Sequence, residues 1–374
     1  MKLTCTQENL NFGLQTTGHL ANKNVNLPIL NNVLLEAKEG ILKLSSTNLE
    51  IGISGFVRCK VDKEGSFTVD ARLLSDYVNL LNNDQVKIEL KPDDFLQISC
   101  GNSETKIKGL IADDFPVIPK IEKEKPYGVK TADFKNALSQ VLFAVSTSET
   151  RPEIGGVLIC FNKQKNKLTI VGTDSYRLAE KIINLDKNQD EKDVIVPVKT
   201  LHELLRILNN LSGQSSESEE LNIYLSDNQI LFTCGNIELI SRLIEGQYPD
   251  YKQIIPKNFK TKVVASSSEL AKIIKTVALF SKSGIFDINL LFEPAQGIVA
   301  KSANTQIGES TSVLEVEYEG EINETVLNHR YLLDAINNIG AQEVEISLID
   351  NNIPCILRPK GDDSYLHIIM PIKQ

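Results

Sequence analysis

The most restrictive feature of the sequence is one order of predicted elements that occurs three times. In the first copy, a short amphipathic helix over residues 7–20 is followed by strand-like runs. The hydrophobic period then changes from that of a strand to that of a helix within residues 67–81. Further strand-like runs close this copy, at residues 86–90, 95–100 and 105–110. The order is therefore helix, strands, helix, strands.

The first copy also predicts local packing. Residues 28–37 form its first strand-like run, and Asp70 is the candidate N-cap of its second helix. That helix should bury one apolar face against the strands. The predicted face consists of Leu73, Leu74, Tyr77, Leu80 and Leu81.

The same order returns twice further along the chain. Its helices or strand-to-helix steps lie at residues 131–143 and 194–208 in the second copy, and at 268–280 and 326–336 in the third. Two identical tripeptides mark the register: Cys100-Gly101-Asn102 and Cys234-Gly235-Asn236 are 134 positions apart (234 − 100). Solenoid repeats are about 20 to 50 residues long, so a repeat of this length indicates duplicated domains.

The chain has 374 residues, which is too long for one ordinary hydrophobic core. Proline-containing charged segments near residues 123–126 and 256–258 predict domains at 1–124, 125–256 and 257–374. Strands do not alternate singly with helices, so the fold class is α+β, with an antiparallel sheet and two helices on one of its faces in each domain. The predicted helix anchors are Leu204, Leu205, Leu208, Leu332, Leu333 and Ile336.

Composition limits the function classes. The formal net charge of −9 argues against a protein that is basic all over, although a basic inner surface remains compatible with that sum. The six cysteines are widely separated, which predicts reduced core residues rather than metal ligands. The N-terminus lacks the apolar segment of a signal peptide, and no apolar run has the length of a membrane span, so we expect a cytoplasmic protein without a membrane partner.

Catalytic patterns are missing. Neither glycine-rich phosphate-binding motif occurs, and the four histidines, at positions 19, 202, 329 and 367, lie far apart. The doublets Asp113-Asp114 and Asp362-Asp363 are more typical of solvated turns than of magnesium sites. Thr173, Asp174 and Ser175 are not part of a nucleophile elbow. We therefore predict no catalytic residues, no metal and no cofactor.

The polar cluster at 173–175 lies between two strand-like runs and predicts a hairpin turn. The surrounding stretch, 171–179, resembles a signature of the bacterial DNA polymerase III beta subunits, the sliding clamp family. Other stretches that resemble the family, in the same order along the chain, are 26–35, 113–116, 243–251 and 367–374.

The resemblance implies a DNA clamp fold, in which two three-domain subunits close head to tail into a ring of six similar domains. It implies a non-catalytic processivity subunit that encircles double-stranded DNA and tethers the alpha subunit of the replicative polymerase. A separate clamp loader and other proteins that carry the clamp-binding motif would be further partners. Two alternatives stay open from the sequence: a scaffold of the same fold that does not encircle DNA, and a hydrolase with unrecognised carboxylates.

The clamp architecture places helices at the central hole, where cations would contact DNA. Any one of these residues could be an ordinary surface cation, but cations occur in all three helix pairs. Residues 22–25 match a DNA-contacting loop of the family, with one cation. The predicted DNA contacts are Lys23, Arg72, Lys135, Lys199, Arg206, Lys272, Lys275 and Arg330.

The resemblance also implies a groove for short peptide motifs between the second and third domains. Ser175-Tyr176 replaces the commoner Gly-His, and Gln253 stands where an arginine is frequent, which affects partner specificity. The alternative is that residues 370–372 are only a C-terminal strand. The matching positions are Ile154, Thr173, Ser175, Tyr176, Arg177, Leu178, Pro249, Ile254, Ile368, Met370, Pro371 and Ile372.

Finally, we expect a homodimer in which an edge strand of the first domain pairs with one of the third. Thr105 and Ile107 lie on the first of these strands, and Leu279 and Phe280, at the end of a helix of the third domain, should pack across the joint.

Overall fold

The computed structural model describes residues 1–21, 27–148, 150–187, 189–211, 220–282 and 284–373. Helices and antiparallel strands recur in three copies, which we call the first, second and third repeat. Each repeat begins with a short strand ahead of its first helix, which the predicted order of helix, strands, helix, strands lacks. Within the described residues the α-helices are α1 (Gln7–Thr17), α2 (Ala71–Asn79), α3 (Thr131–Val141), α4 (Val198–Leu211), α5 (Ser267–Ala278) and α6 (His329–Asn338).

The strands fall into three groups that follow the repeats. The first group is β1 (Lys2–Thr6), β2 (Asn32–Lys38), β3 (Ile41–Thr47), β4 (Ile51–Arg58), β5 (Lys60–Lys63), β6 (Gly65–Asp70), β7 (Gln85–Leu90), β8 (Phe95–Cys100) and β9 (Ser103–Leu110). The second is β10 (Tyr127–Lys130), β11 (Gly156–Phe161), β12 (Lys167–Thr173), β13 (Arg177–Asn184), β14 (Lys192–Pro197), β15 (Glu220–Leu225), β16 (Gln229–Cys234) and β17 (Ile237–Arg242). The third is β18 (Thr261–Ser266), β19 (Asp287–Glu293), β20 (Gly297–Asn304), β21 (Gly308–Leu314), β22 (Glu317–Gly320), β23 (Asn323–Asn328), β24 (Glu343–Leu348), β25 (Cys355–Pro359) and β26 (Tyr365–Ile369).

The described chain forms two compact units. The first unit comprises residues 1–132, 186–189 and 203–243, and its sheet has the order β10-β15-β16-β17-β4-β3-β2-β6-β9-β8-β7-β1-β5. The second unit comprises the remaining residues and contains two sheets, β14-β11-β12-β13-β26-β25-β24-β18-β22 and β21-β20-β19-β23. The second repeat therefore contributes strands to both units.

Two strand pairs join consecutive repeats. At the first joint, β17 pairs antiparallel with β4, with Ile240 opposite Gly52. At the second joint, β26 pairs antiparallel with β13, with Ile368 opposite Leu178. The first repeat keeps its strands in one sheet, as the sequence predicts, whereas the second and third repeats each distribute theirs over two sheets. Alternation along each strand is the same in either arrangement, so the sequence pattern does not separate them.

The strand-to-helix step of the first repeat is confirmed. Asp70 ends β6 and caps α2, since its Oδ1 accepts a hydrogen bond from the Leu73 backbone N–H at 2.7 Å. The prediction of the apolar face was wrong for two residues. Leu73 is 54% exposed and Leu80 is 83% exposed, whereas Leu74 and Val78 are fully buried. The helix ends at Asn79, so Leu80 lies beyond the turns that pack on the strands.

Residues 28–31 also differ from the predicted strand. Pro28–Asn31 form a 3₁₀ helix, and β2 begins only at Asn32. Proline has a fixed φ and no N–H, which suits the first position of a helical turn better than a strand pair. The paired tripeptides behave as predicted: Gly101 and Gly235 close the β8–β9 and β16–β17 hairpins with φ of +53° and +56°, a conformation that favours glycine.

In the first repeat, both helices pack against the strands. Leu10 and Leu14 of α1, together with Leu74 of α2, are buried in one cluster with strand residues such as Leu35 and Ile98. Burial of each such side chain contributes about 1.5 to 3 kcal/mol to folding. Among the predicted anchors of the other helices, Leu204, Leu208, Leu332 and Ile336 are buried and Leu205 and Leu333 are half-buried.

The cysteines are free thiols, as predicted. Cys59 is half-buried and the other five are buried. Burial raises the pKa of Cys5 and of Cys355 to about 12, so these thiols stay protonated near neutral pH.

Candidate partner-binding site at the turn between β12 and β13

The predicted turn does connect two antiparallel strands, with Thr173 of β12 opposite Leu178 of β13. Its backbone is fixed by two side chains. The Thr173 Oγ1 donates to the Arg177 carbonyl oxygen at 2.7 Å and accepts from the Ser175 N–H at 3.1 Å. Asp174 Oδ1 accepts from the N–H groups of Tyr176 and Arg177, both at 2.9 Å. This arrangement holds Ser175 at φ +78°.

Arg177 turns its guanidinium away from solvent, and its side chain is only 12% exposed. Nε donates to Asp174 Oδ2 at 3.0 Å, and Nη1 donates to Asp334 of α6. The guanidinium carbon also lies 4.5 Å from the ring centroid of Tyr331 and 5.5 Å from that of Phe143. Arg177 therefore ties the turn to helix α6, so its structural role is to position the turn.

His367 lies beneath this arginine and is fully buried on β26. Its ring centroid is 5.5 Å from that of Phe143, and both ring nitrogens lack a hydrogen-bond partner among the described residues. Burial, with a smaller contribution from Arg177, lowers the pKa of His367 to about 3. The ring is therefore neutral in the folded protein.

The histidine predicts an acid-sensitive stability. The unfolded chain takes up a proton near pH 6.5, whereas the folded chain does not, so the stabilisation is complete above pH 6.5 and is lost as the pH falls toward 3. Between pH 7 and pH 5, the wild type should lose about 2 kcal/mol more unfolding free energy than His367→Phe. Urea titrations of both proteins at the two pH values measure this difference. Parallel losses in the two proteins would contradict the account.

The chain end lies beside the same turn. The Met370 N–H donates to the Tyr176 carbonyl oxygen at 2.9 Å, and the Ile372 N–H donates to the Val326 carbonyl oxygen at 2.8 Å. Strand β26 ends at Ile369, so these bonds extend the ordered chain past the strand. The last residues are therefore held against the turn by their backbone, which leaves their side chains half-buried.

The segment that follows β17 is fixed against the sheet of the second unit that contains β12 and β13. The Tyr248 hydroxyl donates to the Val171 carbonyl oxygen at 3.3 Å, and the Tyr251 hydroxyl donates to Glu180 Oε2. Burial raises the pKa of both tyrosines, so both hydroxyls remain donors. Pro249 lies between the two anchored rings and is half-buried.

The structure brings the predicted peptide-binding residues into one unit but at different depths. Ile154, Thr173, Leu178 and Ile368 are buried, and Leu178 and Ile368 share a core cluster with Tyr248 and Tyr251. Tyr176 is 64% exposed, and Ser175 and Ile254 are also exposed. A bound peptide would thus meet the exposed and half-buried members, with the buried ones beneath them as support.

Sequence reasoning missed several residues at this site. Arg151 donates from Nη1 to Ser175 Oγ at 3.2 Å and pairs with Glu153 through Nε at 3.1 Å. Phe143, Tyr331 and Asp334 surround Arg177, as described above. Asp334 and Arg177 are 157 positions apart, so no local pattern connects them. Arg151 lies three positions before the predicted Ile154, but no sequence signal connects it with Ser175.

The predicted DNA contacts differ in their surroundings. Arg72, Lys199, Lys272, Lys275 and Arg330 are exposed, and Lys135 is half-buried. Lys23 lies outside the described residues. The guanidinium carbon of Arg330 is 3.5 Å from the ring centroid of Phe286, which holds the cation at the start of α6.

Arg206 is engaged within the first unit. Its guanidinium donates to the buried carboxylate of Glu203, at 2.6 Å and 3.0 Å, and to the Thr16 and Gln15 carbonyl oxygens at the end of α1, at 2.6 Å and 3.2 Å. His19 Nδ1 lies 2.8 Å from the other Glu203 oxygen. The geometry therefore supports a structural role for Arg206, and its contact with DNA stays a prediction.

Two structural features bear on other function classes. Within the described residues, no group of three or more His, Cys, Asp or Glu side chains is arranged to hold a metal ion. The described helices also include none with the length and apolar composition needed to span a membrane.

Family models match three consecutive parts of the chain. The model for the N-terminal domain of the DNA polymerase III beta subunit matches residues 1–119, that for the central domain matches 128–250, and that for the C-terminal domain matches 252–373. The chain belongs to the DNA polymerase III beta subunit family. The family resemblance predicted from the signature stretches is thus confirmed. The domain boundaries proposed after residues 124 and 256 stay a prediction.

Named relatives agree with this assignment. The beta sliding clamp of Staphylococcus aureus is 32% identical over 356 residues, which cover 93% of this chain and 92% of that protein. Crystal structures of the DNA polymerase III beta subunit from Pseudomonas aeruginosa and of the sliding clamp from Bacillus subtilis each match with a TM-score of 0.93 at 28% identity. Both cover 100% of this chain, and 100% and 99% of theirs. The fold is therefore the three-domain clamp fold, and the function is that of a DNA sliding clamp in replication, in preference to a scaffold that leaves DNA unencircled.

Proposed function

We propose that two copies of this chain close head to tail around duplex DNA and hold the replicative polymerase on it through the turn between β12 and β13. The main support for the proposal is that the same strand pairing occurs at both joints within the chain. Within the chain, β17 pairs with β4 and β26 pairs with β13. The counterpart of β17 and β26 in the first repeat is β9, and the counterpart of β4 and β13 in the third is β21. Pairing of β9 with β21 of a second copy would complete the series.

Both strands have an edge available for that pairing. Within the described residues, β21 pairs only with β20, while β9 pairs with β8 and, through Gly109 and Leu110, with the end of β6. The predicted contact Thr105 is half-buried on β9, and Ile107 is buried in the core of its own repeat. β9 carries the exposed Lys106 and Lys108 beside the exposed Glu104, and β21 carries the exposed Glu309, so the net charges of the two edges are opposite.

A contact between two helices also recurs at both joints. At the first joint, Arg206 of α4 donates to the end of α1, and at the second joint Gln140 of α3 donates to the Ile339 carbonyl oxygen after α6. The two remaining helices, α2 and α5, end in leucines that are exposed: Leu80 at 83% and Leu279 at 74%. We therefore infer that the end of α2 meets the end of α5 of the second copy, which accounts for the exposed face of α2.

An apolar patch lies along the same edge of the third repeat. Ile307 is 58% exposed and Val313 is 49% exposed, and the half-buried Phe280 ring lies 3.8 Å from the position that a Cβ would take on Gly308. Apolar side chains in such a group mark interfaces more often than free surface. The patch, formed by Leu279, Phe280, Ile307 and Val313, supports the proposed subunit contact.

In this proposal the groove formed by the turn, the chain end and the segment 249–254 takes short peptide motifs. These belong to the polymerase alpha subunit, the clamp loader and other motif-bearing proteins, which would compete for one groove per subunit. The half-buried Met370, Pro371 and Ile372 and the exposed Tyr176 offer apolar surface, and Ser175 offers a hydroxyl. The protein itself is proposed to be non-catalytic and cytoplasmic, and to take no cofactor.

DNA contact is proposed to be weak, salt-dependent and independent of sequence, because lysines that face phosphates read no bases. Lys199→Ala should lower affinity for a duplex and reduce the slope of log affinity against log salt by about 0.9. Anisotropy titrations with two duplexes of equal length and different sequence measure both effects. Unequal affinity for the two duplexes at one salt concentration would count against the proposal.

Arg206→Ala, on the same helix, is a useful variant for comparison with Lys199→Ala. It leaves the buried Glu203 carboxylate without its guanidinium, so we expect the free energy of unfolding to fall by about 2 kcal/mol or more. Lys199 is exposed, and its replacement should change stability by less than about 0.5 kcal/mol. Urea titration separates the two roles: equal stability of the two variants would show that the Arg206 hydrogen bonds contribute little.

A further inference from the structure

The turn between β3 and β4, at the first joint, reproduces the turn between β12 and β13 bond for bond. Thr47 Oγ1 donates to the Ile51 carbonyl oxygen at 2.8 Å and accepts from the Leu49 N–H at 3.0 Å. Asn48 Oδ1 accepts from the N–H groups of Glu50 and Ile51, at 3.1 Å and 2.8 Å. Leu49 has φ +77°, where Ser175 has +78°. The first joint therefore carries a second copy of the same backbone frame.

The equivalence extends to the neighbouring strand. The Arg242 N–H donates to the Glu50 carbonyl oxygen at 3.2 Å, just as the Met370 N–H donates to Tyr176. The residues next to the turn differ between the two joints. At the first joint Gly52 lies opposite Ile240, whereas at the second joint Leu178 lies opposite Ile368. A Cβ on Gly52 would lie 2.8 Å from Ile118 Cγ2, so the linker after β9 can approach the sheet only because this residue is glycine.

A cavity of about 510 Å³ remains between the linker and the sheet of the first unit. Its apolar lining comes from both sides, with Ile118 and Ile121 on the linker and Phe56, Leu231 and Ile240 on the strands. Val117, next to this stretch, is 93% exposed. The space is large enough for one or two apolar side chains of another molecule.

The charged groups at the cavity are mainly cationic. Lys43, Lys120 and Lys123 line it together with one acid, Glu238, which pairs with Lys123. Lys43 lies 3.3 Å from Glu36, and Lys120 is exposed and forms no ion pair within the described part of the chain. The cavity thus combines an apolar floor with a cationic rim, in a chain whose net charge is −9.

We propose that this cavity binds an extended segment of a partner protein in which apolar residues are flanked by carboxylates. The apolar side chain enters between Ile118 and Ile240, and an acidic neighbour meets Lys120, whereas Lys43 and Lys123 are already paired with Glu36 and Glu238. The site is separate from the groove at the β12–β13 turn and gives each subunit a second docking position, with a preference for acidic segments.

The test uses the full chain and a fluorescein-labelled peptide with the sequence Glu-Glu-Leu-Leu-Glu-Glu, followed by anisotropy at low salt. Lys120→Glu should weaken binding by at least about five-fold, because it replaces attraction by repulsion at an exposed position. Lys125→Glu is the matched control: it lies on the same linker, is exposed and does not line the cavity. It should leave binding within about two-fold of the wild type.

Two further variants of the chain test where the peptide binds. A chain that ends at Ile369 lacks the C-terminal wall of the other groove and should bind the peptide as the wild type does. Gly52→Leu should abolish binding, because its side chain meets Ile118 and displaces the linker that forms one wall of the cavity. Absence of binding to the wild type, equal weakening by Lys120→Glu and Lys125→Glu, or loss of binding in the shortened chain would each overturn the proposal. The last of these results would place the peptide in the groove at the β12–β13 turn.

Discussion

Replacing Leu279 and Phe280 with glutamate should convert the protein from a dimer into a monomer. In the proposed joint, the exposed Leu279 and the neighbouring Phe280 are buried against the second copy, and two carboxylates there would have to be desolvated without partners. Sedimentation equilibrium should give a molar mass of 83.2 kDa (2 × 41.6) for the wild type and 41.6 kDa for the variant. Two such changes should weaken association by at least about 1,000-fold.

Two comparisons make this result specific. Ile322→Glu alters a side chain that is 65% exposed in the same repeat but away from the β21 edge, and it should remain a dimer. Leu80→Glu, at the end of α2, should dissociate the dimer, since the helix repetition places Leu80 at the same joint. A dimeric Leu279→Glu, Phe280→Glu protein would show that the β9–β21 joint is assigned to the wrong surface.

Removal of residues 370–374 should abolish the binding of motif peptides and of the proteins that carry them. The Met370 N–H bonds to the Tyr176 carbonyl oxygen, so the deletion takes away one wall of the groove and the contact that holds it. Strand β26 ends at Ile369 and stays paired with β13 and β25, so the fold of the second unit should persist. The expected loss of affinity is about 30-fold or more, equivalent to about 2 kcal/mol.

A matched control distinguishes the loss of the groove wall from a general effect of altering the C-terminal residues. Lys373→Ala keeps the length of the chain and changes only an exposed residue beyond the apolar positions, so peptide affinity should be retained. Calorimetric titration of one peptide into the three proteins gives the comparison. Equal affinity of the wild type and the shortened chain would show that residues 171–179 form an ordinary hairpin and not part of a peptide groove.

Local signals predicted much of this structure. The Asp70 cap, the turn at 173–175 and the two Cys-Gly-Asn hairpins each depend on residues within a few positions of one another. For such features, one side chain and its neighbours determine the backbone. The alternation of helices with groups of strands in the three repeats was predictable for the same reason, although the strand that begins each repeat was missed.

Contacts between distant parts of the chain were not predictable in this way. The place of Arg177 in the peptide groove stays a prediction, and the sequence does not show that its guanidinium pairs with Asp334, 157 positions away. Contact of Arg206 with DNA stays a prediction, and the sequence does not show that this side chain joins α4 to the end of α1, 190 positions away. Both side chains can extend in several directions, and tertiary packing chooses among them. The sequence identified the residue types at the site without their partners.

The exposed leucines in α2 and directly after it show another limit of prediction from the sequence pattern. Leu73 and Leu80 fit an apolar helical face, and the sequence pattern alone assigns them to the core of their own domain. Periodicity reports that a face is apolar but not which surface covers it. In the proposed assembly, a second copy covers the end of this face.

Retention on DNA of defined topology tests the central proposal most directly. The protein is loaded by its clamp loader and ATP onto a nicked circular plasmid, isolated by gel filtration, and then incubated with or without a restriction enzyme that cuts the plasmid once. A ring held by topology should stay on the circle and leave the linear molecule through its ends, even at a salt concentration that suppresses direct contact. If equal amounts remain on circular and linear DNA, the protein binds DNA without encircling it and the account is contradicted.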